Sequence, residues 1–344
     1  MVKKICIIIP AYNAAETVAG VVRGALKHAG HVIVADDGST DDTAARAAEA
    51  GAEVLPIGCN RGKGHALTCL FAHARAKGLN AVISLDADGQ HDTGEIPAFV
   101  RAHLAHPRDI IIGSRMHEKE KIPRARYNSM QIARFYVSLA ADQFVEDTQC
   151  GYRLYPLDVI SGLCLKTQRY VTETEIIMKA GGRNTRIRPL HINTIYGAYC
   201  SHFRPVADVA AITVYVISFL VVKWFLEGIV PGRRSYAFLH RAMDFFCSTR
   251  VAACAFQLTM LAIFLPVTAS YLLCHICTAP FTKRNFASLR DGRTVSVKFC
   301  RVILATQLLP ALLCITILEK SCRMLGLRIR LIDGFIEKFY PCLW

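Results

Sequence analysis

Ala81-Val82-Ile83-Ser84-Leu85 runs directly into Asp86-Ala87-Asp88-Gly89-Gln90-His91, and this junction decides the fold. A short, nearly continuous apolar run rich in Val, Ile and Leu has the pattern of a strand buried on both faces, the kind found in parallel sheets. Open α/β sheets bind their ligands beyond the carboxyl ends of such strands, which is where the two aspartates stand. Carboxylates at i and i+2, with a glycine to turn the chain and Gln90 adding an amide oxygen, suit a hard divalent cation. A solvated acidic turn is the simpler reading of an isolated Asp-x-Asp, and the position after an apolar strand favours the metal.

The same strand, turn and helix unit extends outward from that junction. Lys4 to Ile9 is a second buried-strand pattern, and Val18, Val21, Val22 and Leu26 give helical spacing from Ala15 to Ala29. A strand follows at His31 to Ala35, an alanine-rich helix at Thr40 to Ala50, a strand at Glu53 to Pro56, a helix at Gly64 to Lys77 and a strand at Ile110 to Ile112. This alternation predicts an α/β fold over residues 1–205, a Rossmann-like, mostly parallel sheet with helices on both faces.

Beyond Arg204-Pro205 the composition shifts, and residues 206–344 read as a helical, membrane-associated region. An interfacial helix is expected at about 206–230, because its apolar run soon meets Lys223 and Glu227; a span is the alternative. Val251 to Leu273 and Val302 to Leu318 carry no charge and predict a hydrophobic hairpin. Basic flanks place both ends in the cytoplasm, although the connecting segment is basic too. Ile5 to Ile9 is too short for an export signal, so the expected location is the cytoplasmic face of a membrane, integral, and the plasma membrane if the cell is bacterial.

Over all 344 residues, a hydrophobic fraction of 53% fits one soluble domain with a membrane-bound addition. The formal net charge of +14 suits anionic headgroups or phosphate-bearing substrates. A nucleic-acid partner is set aside, since no zinc-finger spacing, helix-turn-helix or aromatic-interleaved basic strand accompanies the charge. The 14 cysteines are scattered and many lie in apolar runs, which predicts reduced, structural thiols; Cys274 and Cys277 lack the second pair a zinc site needs.

Three further loops end strands or open helices. In Asp36-Asp37-Gly38-Ser39-Thr40, Ser39 or Thr40 is expected to cap the next helix, while Asp36 and Asp37 suit a nucleobase or ribose. Asn60-Arg61-Gly62-Lys63-Gly64 brings backbone N–H groups and a lysine together as an anion site, without the spacing of a Walker loop. Gly113-Ser114-Arg115 puts an arginine fork at another strand end, and Arg124, Arg126 and Arg134 follow.

Taken in order with Pro10-Ala11-Tyr12-Asn13, Asp147-Thr148-Gln149-Cys150-Gly151-Tyr152-Arg153 and Glu173-Thr174-Glu175, these motifs resemble glycosyltransferase family 2. More narrowly, they resemble its dolichyl-phosphate mannose synthase and polyprenyl-phosphate glycosyltransferase branch. The resemblance covers about residues 4–205. It implies the GT-A fold, a nucleotide-diphosphate sugar donor, Mg²⁺ or Mn²⁺ as cofactor, and inversion at the anomeric carbon. It also implies that Asp88 and Gln90 hold the metal with Asp86 beside them, and that Asp36 or Asp37 reads the base. Pro10, Tyr12, Asn13, Glu16 and Lys63 complete the implied donor site. Arg115, Arg126, Ser129 and Arg204 are implied at the acceptor phosphate, with Asp86, Asp88, Arg115 and Arg204 as the catalytic set. The Gln-x-x-Arg-Trp motif of processive family members is absent, which favours single transfer.

A polyprenyl phosphate acceptor is already anionic and needs no base, so alignment and charge neutralisation would suffice. A lipid hydroxyl, as in diacylglycerol, is the second reading and would need a base, Asp147 or Glu175. A membrane-anchored scaffold without activity is the non-enzymatic alternative. Donor sugar and base are not written in these residues, and a homo-oligomer is left open.

Overall fold

The computed structural model of the chain describes residues 5–118, 120, 122–193, 195 and 204–229. Strand β1 (Ile5–Ala11) lies inside the sheet, with Cys6, Ile7, Ile8 and Ile9 fully buried. Strand β2 (Val32–Asp36) runs parallel on one side, pairing Ile9 with Val34, and β4 (Ala81–Ser84) runs parallel on the other, pairing Ile7 with Ile83. Together with β3 (Glu53–Pro56), β5 (Ile110–Ser114), β6 (Arg153–Pro156) and β7 (Ile187–His191) they form one sheet of seven strands among the described residues, in the order β3-β2-β1-β4-β6-β5-β7. Every pairing is parallel except those of β6, which is antiparallel to both neighbours.

This topology creates the site. From β1 the chain steps to β2 and β3 on one side, then returns to place β4 on the other, so a crevice opens at the carboxyl ends of β1 and β4. Because β6 runs the opposite way, its beginning arrives at the same edge: Arg153 pairs with Ser84 on one side and with Ile112 on the other.

Helices α1 (Val18–Leu26), α2 (Thr43–Glu49), α3 (Lys63–Ala76), α4 (Ile96–Ala105), α5 (Arg124–Ala140), α6 (Leu157–Ser161), α7 (Val171–Gly181) and α8 (Pro205–Ile229), with short 3₁₀ helices at Thr93–Glu95 and Met116–Glu118, complete the described elements. Helix α1 buries Val18, Val21, Val22 and Ala25, the i, i+3, i+4, i+7 stripe. It begins later than its apolar spacing suggests. Asn13 is held at a left-handed φ of 47°, and Thr17 Oγ1 donates to the carbonyl of Ala87 at 2.6 Å, so the preceding turn is tied to the Asp86–Asp88 loop. The expected cap of α2 is also corrected. Ser39 Oγ accepts from the Asn13 amide at 3.0 Å, and Asp41 Oδ1 takes the Thr43 amide at 3.0 Å. The residue at the cap position is Asp42, whose side chain makes no cap bond, so neither Ser39 nor Thr40 caps α2.

The chain divides into two compact units, Met1–Ile122 with Ala141–Ile212, and Pro123–Ala140 with Thr213–Trp344. The first carries the sheet. Within the second, Lys223 Nζ on α8 donates to the carbonyl of Ala140 at the end of α5, at 2.9 Å. The interfacial stretch expected at 206–230 falls on α8, and no helix among the described residues is long and apolar enough to cross a membrane. The hairpin expected at 251–273 and 302–318, its basic flanks and the Cys274–Cys277 spacing lie outside the described residues.

Candidate active site

Asp86 is the first residue past the end of β4 and its neighbour Leu85, whose amide still donates to Ile8 O at 3.0 Å. The Asp86 amide donates to Nδ1 of His91 at 3.2 Å, so that nitrogen accepts and the ring is neutral. The His91 ring stacks on Tyr152 at 5.1 Å, and Tyr152 stacks on Phe99 at 4.3 Å. Burial pushes the His91 imidazole down to about 4, with the Asp86 carboxylate opposing. Between these two anchors, Gly89 adopts a φ of 75° and Asp88 Oδ1 accepts the Gln90 amide at 3.0 Å, a tight Asx turn.

Lys63 reaches this loop from the first residue of α3. Its Nζ lies 2.6 Å from Asp86 Oδ1 and 3.2 Å from Glu173 Oε2, and 5.8 Å from the centre of the Tyr170 ring. Burial alone would lower the lysine; the two carboxyl groups outweigh it and hold Lys63 above its ordinary value. The reverse holds for Asp86, which burial would raise and Lys63 holds below the usual carboxylate range. One ammonium is thus shared by two acids. Glu173 Oε1 is buried and has no hydrogen-bond partner among the described residues. Gly151 closes the group: a Cβ there would stand 2.6 Å from Asp86 Oδ2 and 2.8 Å from Lys63 Nζ. Ser84 Oγ fixes its carbonyl at 2.7 Å.

The remaining residues of the expected donor site sit around the same edge. Pro10 lies near the end of β1, Tyr12 and Asn13 in the loop after it, and Glu16 is exposed in the turn before α1. Asn13 Oδ1 accepts the Thr40 amide at 2.8 Å, stitching that loop to the one after β2. Asp36 and Asp37 differ in role. Asp37 is buried and accepts the amides of Arg61 at 3.0 Å and Gly62 at 2.7 Å, so it clamps the Asn60–Gly64 loop. Asp36 is half-buried, with Oδ1 on the Ser39 amide at 3.1 Å.

At the end of β5, Arg115 is buried and its fork is taken by Asp147, through Nε at 2.9 Å and Nη2 at 3.2 Å. Asp147 Oδ1 also accepts the Gln149 and Cys150 amides at 3.0 and 3.1 Å. Burial would raise this carboxyl; Arg115 holds it low. Arg204 is different, with 62% of its side chain exposed and Nη2 no nearer than 3.9 Å to Asp208 Oδ1. Arg126 and Ser129 are exposed on α5, in the second unit.

Two acids expected as bases are committed elsewhere. Asp147 is bound as above, and Glu175 accepts from Lys179 at 2.8 Å, from Thr167 Oγ1 at 2.6 Å and from the Thr167 amide at 3.0 Å. The acid that joins the cluster is Glu173, two positions earlier on α7. Spacing alone could not separate the pair, because the choice depends on where α7 lies against α3. His91, Tyr170 and Gly151 also join the cluster without having been assigned a role from sequence; the i+5 spacing of His91 from Asp86 was the only signal for the first.

Residues 6–160 match the family model described as Glycosyl transferase family 2. An uncharacterized protein of Methanocaldococcus jannaschii is 30% identical over 203 residues, covering 57% of this chain and 83% of that one. The chain belongs to glycosyl transferase family 2. A UDP-N-acetylglucosamine–dolichyl-phosphate N-acetylglucosaminyltransferase of Methanococcus voltae is 27% identical over 220 residues, 57% of this chain and 88% of the relative. An undecaprenyl-phosphate mannosyltransferase of Micrococcus luteus is 28% identical over 178 residues, 47% of this chain and 70% of the relative, and a polyprenol monophosphomannose synthase of Mycolicibacterium smegmatis is 29% identical over 176 residues, 46% and 64%. In fold, the chain is similar to glucosyl-3-phosphoglycerate synthase from Mycobacterium tuberculosis, solved with Mn²⁺, UDP and glucosyl-3-phosphoglycerate. The TM-score is 0.51 with 21% identity over 63% of this chain and 78% of that one, a likeness of the GT-A, Rossmann-like sheet.

As for the divalent ion, no group of three or more His, Cys, Asp or Glu side chains among the described residues forms a cage for one. What the loop after β4 offers is a pair of carboxylates, Asp86 and Asp88, one of which already attracts a cation in Lys63. That set fits Mg²⁺ or Mn²⁺, ions commonly held by one or two carboxylates with substrate phosphates and water as the other ligands.

Proposed function

We propose that the protein is a membrane-associated, inverting glycosyltransferase that moves one sugar from a nucleotide-diphosphate sugar to a polyprenyl phosphate. The observation that carries the choice of acceptor is the commitment of Asp147 and Glu175 to ion pairs and backbone amides, which leaves neither able to take a proton from a hydroxyl. An anionic phosphate acceptor requires no such group. The names of the relatives, which specify dolichyl and undecaprenyl phosphates, support the same reading.

In this reading Asp86 and Asp88, with Gln90 beside them, would hold the divalent ion, which would supply positive charge at the diphosphate. Lys63 sits against Asp86 and neutralises the same region. Asp36, Tyr12 and Asn13 line the base and ribose end, while Asp37 shapes the loop that carries Lys63. Arg204, exposed just before α8, receives the acceptor phosphate, and α8 brings the chain to the membrane interface. Arg115 acts mainly by holding Asp147 and the Gln149–Gly151 turn that abuts Asp86. Alignment of the acceptor oxygen with the anomeric carbon then accounts for the rate.

One observation favours the hydroxyl reading: Glu173 Oε1, buried and without a hydrogen-bond partner among the described residues, is chemically able to serve as a base. The two separate in one assay. Purified full-length protein with Mn²⁺ is given a panel of nucleotide sugars and, in parallel vesicles, a polyprenyl phosphate or a diacylglycerol, and lipid products are weighed by mass spectrometry. A glycosyl phosphate lipid is the expected product. A glycosylated diacylglycerol would establish the hydroxyl reading, and no product with any donor would return the inactive scaffold.

A further inference from the structure

The two glycines flanking Lys63 face a segment that the motif assignments leave unused. Gly62 has a φ of 90°, and a Cβ on it would lie 2.6 Å from Cγ of Arg169. A Cβ on Gly64 would lie 2.0 Å from Thr172 Oγ1 and 2.5 Å from the Arg169 carbonyl. The loop that aims Lys63 at Asp86 is therefore seated against residues 169–172, and its glycines are required by that approach as well as by any anion. Tyr170, within the same segment, is the ring beneath the Lys63 ammonium.

Arg169 is itself held in an unusual state. Its φ is 56°, in the left-handed region that arginine seldom adopts, so its surroundings must fix it there. They do so through Asp208, in the first turn of α8, which accepts from Arg169 Nε at 3.0 Å and Nη2 at 3.4 Å. Asp208 is 3% exposed and also takes the Arg204 amide at 2.8 Å. Burial would raise its carboxyl, and Arg169 with the Arg204 amide holds it low. Contacts thus run without a gap from the start of α8, through Asp208 and Arg169, to the Gly62–Gly64 backbone, and by Lys63 to Asp86.

We propose that Arg169 is a positioning residue that couples the start of α8 to Lys63, so that the segment receiving the acceptor sets the geometry of the donor lysine. This deepens the glycosyltransferase reading and rests on it for the names donor and acceptor; the mechanical coupling does not. When α8 is seated, the Asp208 fork pins Arg169, residues 169–172 press on the glycines, and the lysine stays on the donor carboxylate. When the fork is lost, the same loop is freed while the sheet is untouched, because among the described residues Arg169 bonds to no strand.

Amide hydrogen exchange on the full-length protein tests this with Arg169→Ala, Asp208→Asn and the charge-swapped double variant Arg169→Asp/Asp208→Arg. Aspartate is well suited to position 169, since it tolerates a left-handed φ better than arginine. Each single variant is expected to speed exchange of the 60–66 amides about tenfold or more while β1 and β4 stay protected, and the swap is expected to restore most of the protection. Unchanged exchange at 60–66, or faster exchange confined to 204–212, would overturn the coupling, as would a swap that restores nothing. In transfer assays, Arg169→Ala is expected to raise the donor KM by about tenfold with acceptor KM nearly constant, a split that general loss of fold would not give. If the unsubstituted protein transfers no sugar from any donor, the glycosyltransferase reading fails while the exchange result still decides the coupling.

Discussion

Two corners of one sheet edge, both built from acids and bases, are finished to different degrees. At the end of β5, Arg115 and Asp147 meet fork to carboxylate, and two backbone amides fill the remaining lone pairs of one oxygen. At the end of β4, one lysine is divided between Asp86 and Glu173, and one oxygen of Glu173 has no partner among the described residues. A buried ion pair with every hydrogen bond made is a structural clamp, whereas one that leaves a buried acid oxygen without a bond is suited to a ligand that supplies a donor or a cation. On the proposed function, the first corner serves stability and the second the chemistry, although both carry motif residues.

The sharpest way to break that contrast is to neutralise an acid in each corner. Asp147→Asn leaves the Arg115 charge buried with half its partner gone, and a loss of about 3 kcal/mol in unfolding free energy is expected by denaturant titration. Comparable stability in that variant would show that the β5 corner is no clamp. A second difference is in acid sensitivity. His91, buried neutral in the β4 corner, ionises in the unfolded chain near its ordinary 6.5 but only near 4 when folded, so the unfolded state binds the extra proton between those values. Stability from this residue is complete above pH 6.5 and falls as the pH drops toward 4, by roughly 3 kcal/mol at full effect. His91→Gln should flatten the pH 4 to 6.5 slope of Tm; an unaltered slope would place the titration elsewhere.

Arg204 offers a test on a smaller scale. Its exposed guanidinium contrasts with the committed one of Arg115, so it is the better fitted of the two to meet a phosphate arriving at α8. Arg204→Ala is expected to lower acceptor kcat/KM by about 1.5 to 3 kcal/mol equivalent while donor KM stays put, with lysine a partial substitute. If acceptor kcat/KM is unchanged, Arg204 merely reaches toward headgroups and leaves the site. The least effect belongs to Glu173→Gln, which removes the excess acid of the β4 corner and should alter stability by no more than about 0.5 kcal/mol. Turnover with a phosphate acceptor should survive that change, whereas turnover on a diacylglycerol that falls about a hundredfold in the variant would make Glu173 the base of the hydroxyl reading.

Much of the sheet was legible in the chain because β1, β2, β4 and β5 are buried almost throughout and so appear as short apolar runs rich in Ile, Val and Ala, two of them leading into acids. Glu53 to Pro56 is read to the residue, and β4 differs by one. The antiparallel β6 was not legible, since Arg153-Leu154-Tyr155-Pro156 is short and starts with a charge that only the fold explains: Arg153 is buried and donates to the carbonyls of Cys150, Thr148 and Glu173. At the site, the loops were visible as motifs, but the division of labour inside them was not. Asp37 looks like Asp36 in sequence, and only the return of the Gly62 amide to its carboxylate makes it a clamp. Glu173 and Glu175 are likewise equivalent until α7 is set beside α3 and the 164–167 turn.

If Asp86 and Asp88 take a divalent ion together with a diphosphate at the end of β4, as the proposed function requires, binding of Mn²⁺ reports it directly. Mn²⁺ binding to the full-length protein, followed by electron paramagnetic resonance with UDP or GDP present and absent, should be weak alone, become stoichiometric with one of the nucleotides, and vanish in Asp88→Ala while the variant keeps its Tm. Binding that ignores both nucleotides, or that persists undiminished in Asp88→Ala, would contradict it.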